Sequence, residues 1–224
     1  MVKHQMPWLE KRDRLVLFGD SITAAPDGYS CLLARRLDKF GIKVINAGKG
    51  GDKTPTALMR LKSEVIAHKP TAVSIFLGTN DSAIGHGVWA DEPRVPPLAY
   101  ATNLNWIIYL CRLEGIKKFS ITPPLRFEGQ AYADYGDIMQ AYQLAARQVA
   151  EDNRAHFVPA DIAFFEEWQR HPRHHNAGLF LTCDGVHLTN RGNKLLVESM
   201  MRAWGIANDK DKPPRKRNKR GEGG

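Results

Sequence analysis

The sequence predicts an α/β fold in which a parallel sheet of about five strands lies between two layers of helices, and three observations predict it. Short apolar runs alternate with helical patterns along the 224 residues, as repeated strand–helix crossovers require. The run AVSIFL at 72–77 is apolar but for one serine, as expected of a strand covered on both faces. The length suits one good-sized core, and no internal repeat divides it.

Taken in order, LVLF at 15–18 reads as the first strand. Residues 29–40 read as a helix whose Leu32, Leu33, Leu37 and Phe40 share a face. KVI at 43–45 is a second strand. A helix over 54–68 follows, with Thr54 as N-cap and Pro55 in the first helical position, where its missing N–H does no harm. After the strand at 72–77 come a helix over 98–113 and a strand at 118–121. A helix over 138–150, a short strand at 156–158 and helices over 162–168 and 193–204 complete the chain. Right-handed crossovers put helices on both faces, and the ligand site of such a sheet lies beyond the carboxyl ends of its strands.

Composition narrows the function classes. With 43% hydrophobic and 25% charged residues the chain is ordinary globular material. No apolar run approaches the roughly 18–20 residues of a membrane span. The start, MVKHQMPWLEKRDR, carries charge where a secretion signal needs its apolar centre, and this predicts a cytoplasmic protein. Cys31, Cys111 and Cys183 are odd in number and lack metal-like spacing, which fits free thiols in a reducing compartment. Residues 209–224 hold seven Lys/Arg against three Asp/Glu, so half of the net charge of +8 belongs to this Pro- and Gly-rich stretch. The expected organisation is an N-terminal extension over 1–13, one domain over 14–208 and a disordered basic tail over 209–224. Without the tail, the charge gives no case for a nucleic-acid partner. His171, His174 and His175 lack a framework of further ligands, so no metal is expected.

Four segments at predicted strand ends carry pointed residues: Gly19-Asp20-Ser21, Asn46 to Asp52, Gly78-Thr79-Asn80-Asp81, and Asp184-Gly185-Val186-His187 before the last helix. Each has a plain structural explanation when taken alone. Ser21, Asp52 or Thr54 can cap helices, the glycines can mark a turn, and a lone histidine is more often structural. Together they supply what acyl transfer needs: a hydroxyl nucleophile, a base for its proton, a carboxylate to orient that base, and donors for the oxyanion.

The four blocks, in this order over residues 15–204, resemble the SGNH/GDSL hydrolase family of serine esterases and acylhydrolases. The resemblance implies a flavodoxin-like three-layer sandwich, no cofactor, and Ser21 as nucleophile with His187 as base and Asp184 as its orienting carboxylate. It also implies an oxyanion hole formed by the Ser21 and Gly51 N–H groups and the Asn80 amide. Gly51 matches the family's Gly-Asp-x-Thr block better than Gly48 or Gly50, and Asp20 is expected to brace the turn. Two departures are visible. Ile22 stands where the family name has leucine, and the G-x-S-x-G elbow of α/β-hydrolases is absent.

Loops over 83–97, 123–135 and 168–180 are placed to wall the site, and they mix aromatic residues and arginine with other charges. Without a long apolar stretch they suit a short acyl group, such as acetyl, on a polar or sugar alcohol. Asp20, Asp81, Arg126 and Trp89 are the candidate substrate contacts. Other readings are a lysophospholipase- or thioesterase-type acylhydrolase, and a catalytically idle module that binds carbohydrate or a partner. The sequence leaves oligomeric state open.

Overall fold

The first strand sets the frame. In β1 (Arg14–Gly19) every residue after Arg14 is buried, because alternate side chains feed two different cores. The structure, a computed structural model, describes residues 8–82, 91, 93–171 and 179–206. β1 pairs in parallel with both β2 (Lys43–Gly48) and β3 (Ala72–Phe76), so that Phe18 lies beside Ala47 on one side and Ile75 on the other. β4 (Lys118–Thr122) and the two-residue β5 (His156–Phe157) extend the sheet, giving the all-parallel order β2-β1-β3-β4-β5. The chain first winds from β1 outward to β2, then returns across it to β3. The strand order therefore reverses between β1 and β3, where α/β sheets open a crevice.

Helices cover both faces. Leu15, Leu17 and Phe76 pack with α2 (Tyr29–Asp38), α8 (Ala160–Arg170) and α9 (Asn190–Ala203) through Leu33, Leu37, Phe164, Leu196 and Met200. Val16, Phe18, Val73 and Ile75 pack with α3 (Thr54–Glu64), α5 (Pro97–Leu113) and α7 (Met139–Asp152) through Leu61, Leu104, Ile108 and Val149. This is the expected three-layer sandwich. Trp204 closes the first core. It is fully buried, its indole N–H donates to Ser120 Oγ at 2.9 Å, and its ring lies 5.0 Å from that of Trp8. No helix among the described residues is long and apolar enough to cross a membrane.

Several boundaries differ from the sequence expectation. Helix α2 stops at Asp38, which leaves Phe40 outside it and 45% exposed. The helix expected over 54–68 ends at Glu64 and is followed by a 3-10 turn, Ile66–His68. Thr54 is not its N-cap. Lys53 holds that position, and Thr54 enters the helix because its hydroxyl and N–H are claimed by Asp81. Helix α9 starts at Asn190, three residues early, with Thr189 as cap; its first turn is polar and gave no periodic signal. Three helices of four to seven residues, α1 (Ser21–Ala24), α4 (Thr79–Ser82) and α6 (Gly129–Tyr135), are too short to carry one.

Trp204→Ala should destabilise the protein by about 3–5 kcal/mol, since it opens a cavity and strands the Ser120 hydroxyl. Urea denaturation measures this, and a loss below about 1 kcal/mol would show that the core closes without the indole.

Candidate active site

The crevice is lined by the segments that leave the strands. Ser21 is the first residue of α1, and Asp20, just before it, caps that helix by accepting the Ile22 N–H at 3.0 Å. The turn is tight. A Cβ on Gly19 would lie 2.6 Å from the Phe76 carbonyl oxygen, so no larger residue passes there. A Cβ on Gly48 would lie 2.3 Å from the Ala24 nitrogen, so the end of β2 packs directly on α1. Asn46 ties the two together, donating to Thr23 O at 2.8 Å and to Ser30 Oγ at 3.0 Å.

Across this turn stands the loop before α9. His187 Nε2 lies 2.8 Å from Ser21 Oγ, and His187 Nδ1 lies 2.6 Å from Asp184 Oδ2. A carboxylate only accepts, so Nδ1–H donates to Asp184 and the free Nε2 lone pair faces the serine hydroxyl. The other carboxylate oxygen of Asp184 accepts the Val186 and His187 N–H groups at 2.9 and 2.7 Å. Burial pushes the Asp184 carboxyl up, but these hydrogen bonds from His187 and Val186 outweigh it and hold the group below its ordinary value. The line is open to water, with the His187 and Asp184 side chains 44% and 51% exposed. Such an arrangement can accept a proton from Ser21 and support the resulting imidazolium.

Hydrogen-bond donors border the same space. Ser21 N–H is an orphan donor at the start of α1, and Gly51 N–H meets no acceptor among the described residues. Gly51 takes φ +76°, which favours glycine, whereas a Cβ there would meet only open space. Within the protein, its requirement is therefore backbone conformation. Gly48 N–H is already spent on Asn46 Oδ1 at 2.8 Å. Asn80 is buried, and its amide donates one N–H to Asp52 O at 2.8 Å, leaving the second in hand.

Beneath the crevice lies a group of buried charges. Arg60 binds Asp52 through Nε and donates to Ala47 O at 2.8 Å and Gly19 O at 2.9 Å, with its guanidinium 4.7 Å above the Phe18 ring. It thus clamps the ends of β1 and β2 and the residue whose carbonyl holds Asn80. Asp81 accepts from Thr54 N at 3.0 Å and from the Thr54 hydroxyl; burial drives its pKa up to about 6 against those bonds. Asp20 rises further, to about 7, through burial and the neighbouring Asp81 and Asp52 charges, opposed by the Ile22 N–H and by His187.

Hydrogen bonds thus join Ser21, His187 and Asp184 in one line, while Asn80 is tied to Asp52, the residue after Gly51. Asp20 and Asp81 are sealed from solvent and engaged by protein donors, so neither offers an exposed carboxylate. Arg126 stacks 3.9 Å over the Tyr132 ring, 3.7 Å from Asp137, and among the described residues it has no hydrogen bond or ion pair to Ser21, His187 or Asp184. Trp89 lies outside the described residues, as do His174 and His175. Cys183 is an exposed free thiol. Among the described residues no three His, Cys, Asp or Glu side chains gather as metal ligands would. Sequence reasoning missed Arg60, although a cation beside Ala57 and Leu61 on the buried side of a helix was a usable signal. It also missed Glu128, whose partners lie 40–54 residues away.

The description GDSL-like Lipase/Acylhydrolase family matches residues 17–195. An acetylxylan esterase of Geobacillus stearothermophilus is 26% identical, over 87% of this chain and 94% of that one. The isoamyl acetate-hydrolyzing esterase 1 homolog of Homo sapiens is 29% identical, over 84% and 79%. The crystal structure of the acetylxylan esterase superposes with a TM-score of 0.76 at 26% identity, covering 88% of this chain and 96% of that one. Three of its solved variants are described as catalytic mutants, at a serine and at an aspartate and a histidine three residues apart. An enzyme from the metagenome of Lake Arreo shares the fold, with a TM-score of 0.78 at 22% identity over 91% and 100%.

The buried Asp20 makes stability pH-dependent. Its pKa is about 7 in the folded state and 3.8 without burial, so between these values the folded protein holds a proton that the unfolded chain has released. On this account stability falls as pH rises from about 4 to 7, by on the order of 2–4 kcal/mol. Asp20→Asn keeps an acceptor for Ile22 and abolishes the titration. Its stability in urea relative to wild type should therefore improve by that amount between pH 4.5 and 7.5, and a pH-independent difference would contradict the raised pKa.

Proposed function

We propose, starting from the fact that the chain belongs to the GDSL-like lipase/acylhydrolase family of carboxylic ester hydrolases, that it removes acetyl groups from a carbohydrate alcohol through an acyl-enzyme on Ser21. The observation that carries this reading is the unbroken hydrogen-bonded line Ser21–His187–Asp184. Ser21 Oγ attacks the ester carbonyl as its proton passes to His187 Nε2, and Asp184 supports the imidazolium. The carbonyl oxygen, now negative, takes the Ser21 and Gly51 N–H groups and the free N–H of Asn80. The dipole of α1 adds little, since one turn of helix has a small macrodipole. Collapse expels the alcohol, which takes the proton from His187. Water, activated by the same nitrogen, then attacks the acyl-enzyme and returns the acid.

Acetyl as the acyl group is supported by two relatives named for acetyl esters, acetylxylan and isoamyl acetate. The sugar alcohol is supported by the first of these and by the polar-aromatic composition of the sequence over 123–135 and 168–180. The open relay also favours a bulky, well-hydrated alcohol, because the leaving group need not be engulfed.

Hydrolysis of p-nitrophenyl acetate at pH 8 by wild type and Ser21→Ala tests the mechanism, with a loss of at least about a thousandfold expected. An active variant would overturn it. Asn80→Ala should lose about a hundred- to a thousandfold in kcat, and a wild-type rate would remove that amide from the oxyanion hole. Acetylated xylo-oligosaccharides should be cleaved in preference to p-nitrophenyl octanoate by at least about tenfold in kcat/KM, and the reverse order would favour a lipid acylhydrolase.

A further inference from the structure

The loop that carries Asp184 and His187 is short, exposed and far in sequence from Ser21, so something must hold it in register. It folds back on itself as a hairpin. Thr182 bridges Leu188, Cys183 N donates to His187 O at 2.8 Å, and Thr189 N donates to Leu181 O at 2.9 Å. The incoming arm of that hairpin ends on one buried carboxylate. Glu128, 5% exposed, accepts the N–H groups of Phe180 at 3.1 Å, Leu181 at 3.0 Å and Thr182 at 2.7 Å, together with the Thr182 hydroxyl and the Trp168 indole N–H. Its own N–H donates to Gly185 O at 3.0 Å, at the tip between Asp184 and His187. Gly185 has φ +94°, and a Cβ there would lie 2.6 Å from Glu128 O, so the tip and the Glu128 backbone touch.

We infer that Glu128 is a positioning residue for catalysis: its carboxylate fixes the register of the hairpin so that His187 Nε2 meets Ser21 Oγ. Three consecutive N–H groups on one carboxylate specify where the arm lies along its length as well as how firmly it is held, which an apolar anchor of the same size cannot do. A displacement of about 1 Å at the reacting nitrogen is enough to cost a hundredfold in rate. This inference rests on the Ser21–His187 reading above.

The test is a mutant cycle on ester hydrolysis with the full chain. Glu128→Gln keeps the shape but turns an NH2 toward N–H donors whichever way the amide lies, since Leu181 and Trp168 face Oε1 and Phe180, Leu181 and Thr182 face Oε2. The expected result is a fall in kcat of about ten- to a hundredfold with KM within about twofold. In a His187→Ala background the same change should cost less than about threefold, because with the base gone the register no longer matters. Equal losses in both backgrounds would mean that Glu128 serves stability alone, and a wild-type kcat in Glu128→Gln would likewise overturn the inference. Should Glu128→Gln not fold, Thr182→Val removes only the hydroxyl donor. It should lower kcat about three- to tenfold at unchanged KM, and no change would again overturn the inference. Failure of the underlying reading is seen separately, as wild-type activity in His187→Ala itself.

Discussion

The hydrogen bond between Ser21 and His187 joins groups 166 residues apart, and most of the architecture exists to make it. One partner leaves the first strand and the other precedes the last helix. They meet because β1 lies inside the sheet, with β2 and β3 on either side, so the reversal of strand order opens at its carboxyl end. The α2–α8–α9 layer, packed on Leu15, Leu17 and Phe76, then brings the final loop back over that opening. A parallel sheet with β1 at its edge would leave Ser21 with one neighbour and no crevice.

Holding loops at the mouth of such a sheet requires polar anchors, since loop backbone has no ladder of its own. Two ions do this work from below and from the side. Arg60 gathers the carbonyls at the ends of β1 and β2 and fixes Asp52, which in turn fixes Asn80. Glu128 gathers N–H groups, the complementary task. A cation collects carbonyl oxygens and an anion collects amides, so each charge is surrounded by dipoles of matching sign. Burial is tolerable on those conditions. Asp20 and Asp81 have fewer donors around them, and burial raises the pKa of each.

The framework was legible in the sequence because it is periodic. The strands at 15–18, 72–77 and 118–121 and the long helices carry their burial in local pattern, and the structure places them within a few residues. The four blocks were legible because their residues are short and polar, three of them at strand ends and the fourth just before the last helix. What was not legible depends on distant partners. Thr54 looked like a cap until Asp81, 27 residues on, claimed its hydroxyl. Glu128 looked like one more charge in a polar loop, because the three amides that it binds lie more than 50 residues away. The positive φ of Gly51 was not legible either, since a glycine in a glycine-rich turn shows in sequence only that a side chain is absent.

The contact between Trp8 and Trp204 has a topological consequence. The Trp8 N–H donates to the Trp204 carbonyl at 2.9 Å, and Trp8 also lies 5.4 Å from the ring of His156, at the amino end of β5. The described residues therefore begin and end at one corner, at the foot of the sheet, with the length of β1 (about 20 Å at the usual rise) between that corner and Ser21. The body is close to a closed ring. Trp8 and Trp204 are thereby neighbours at the end of the sheet opposite Ser21, which makes the described body a natural subject for circular permutation.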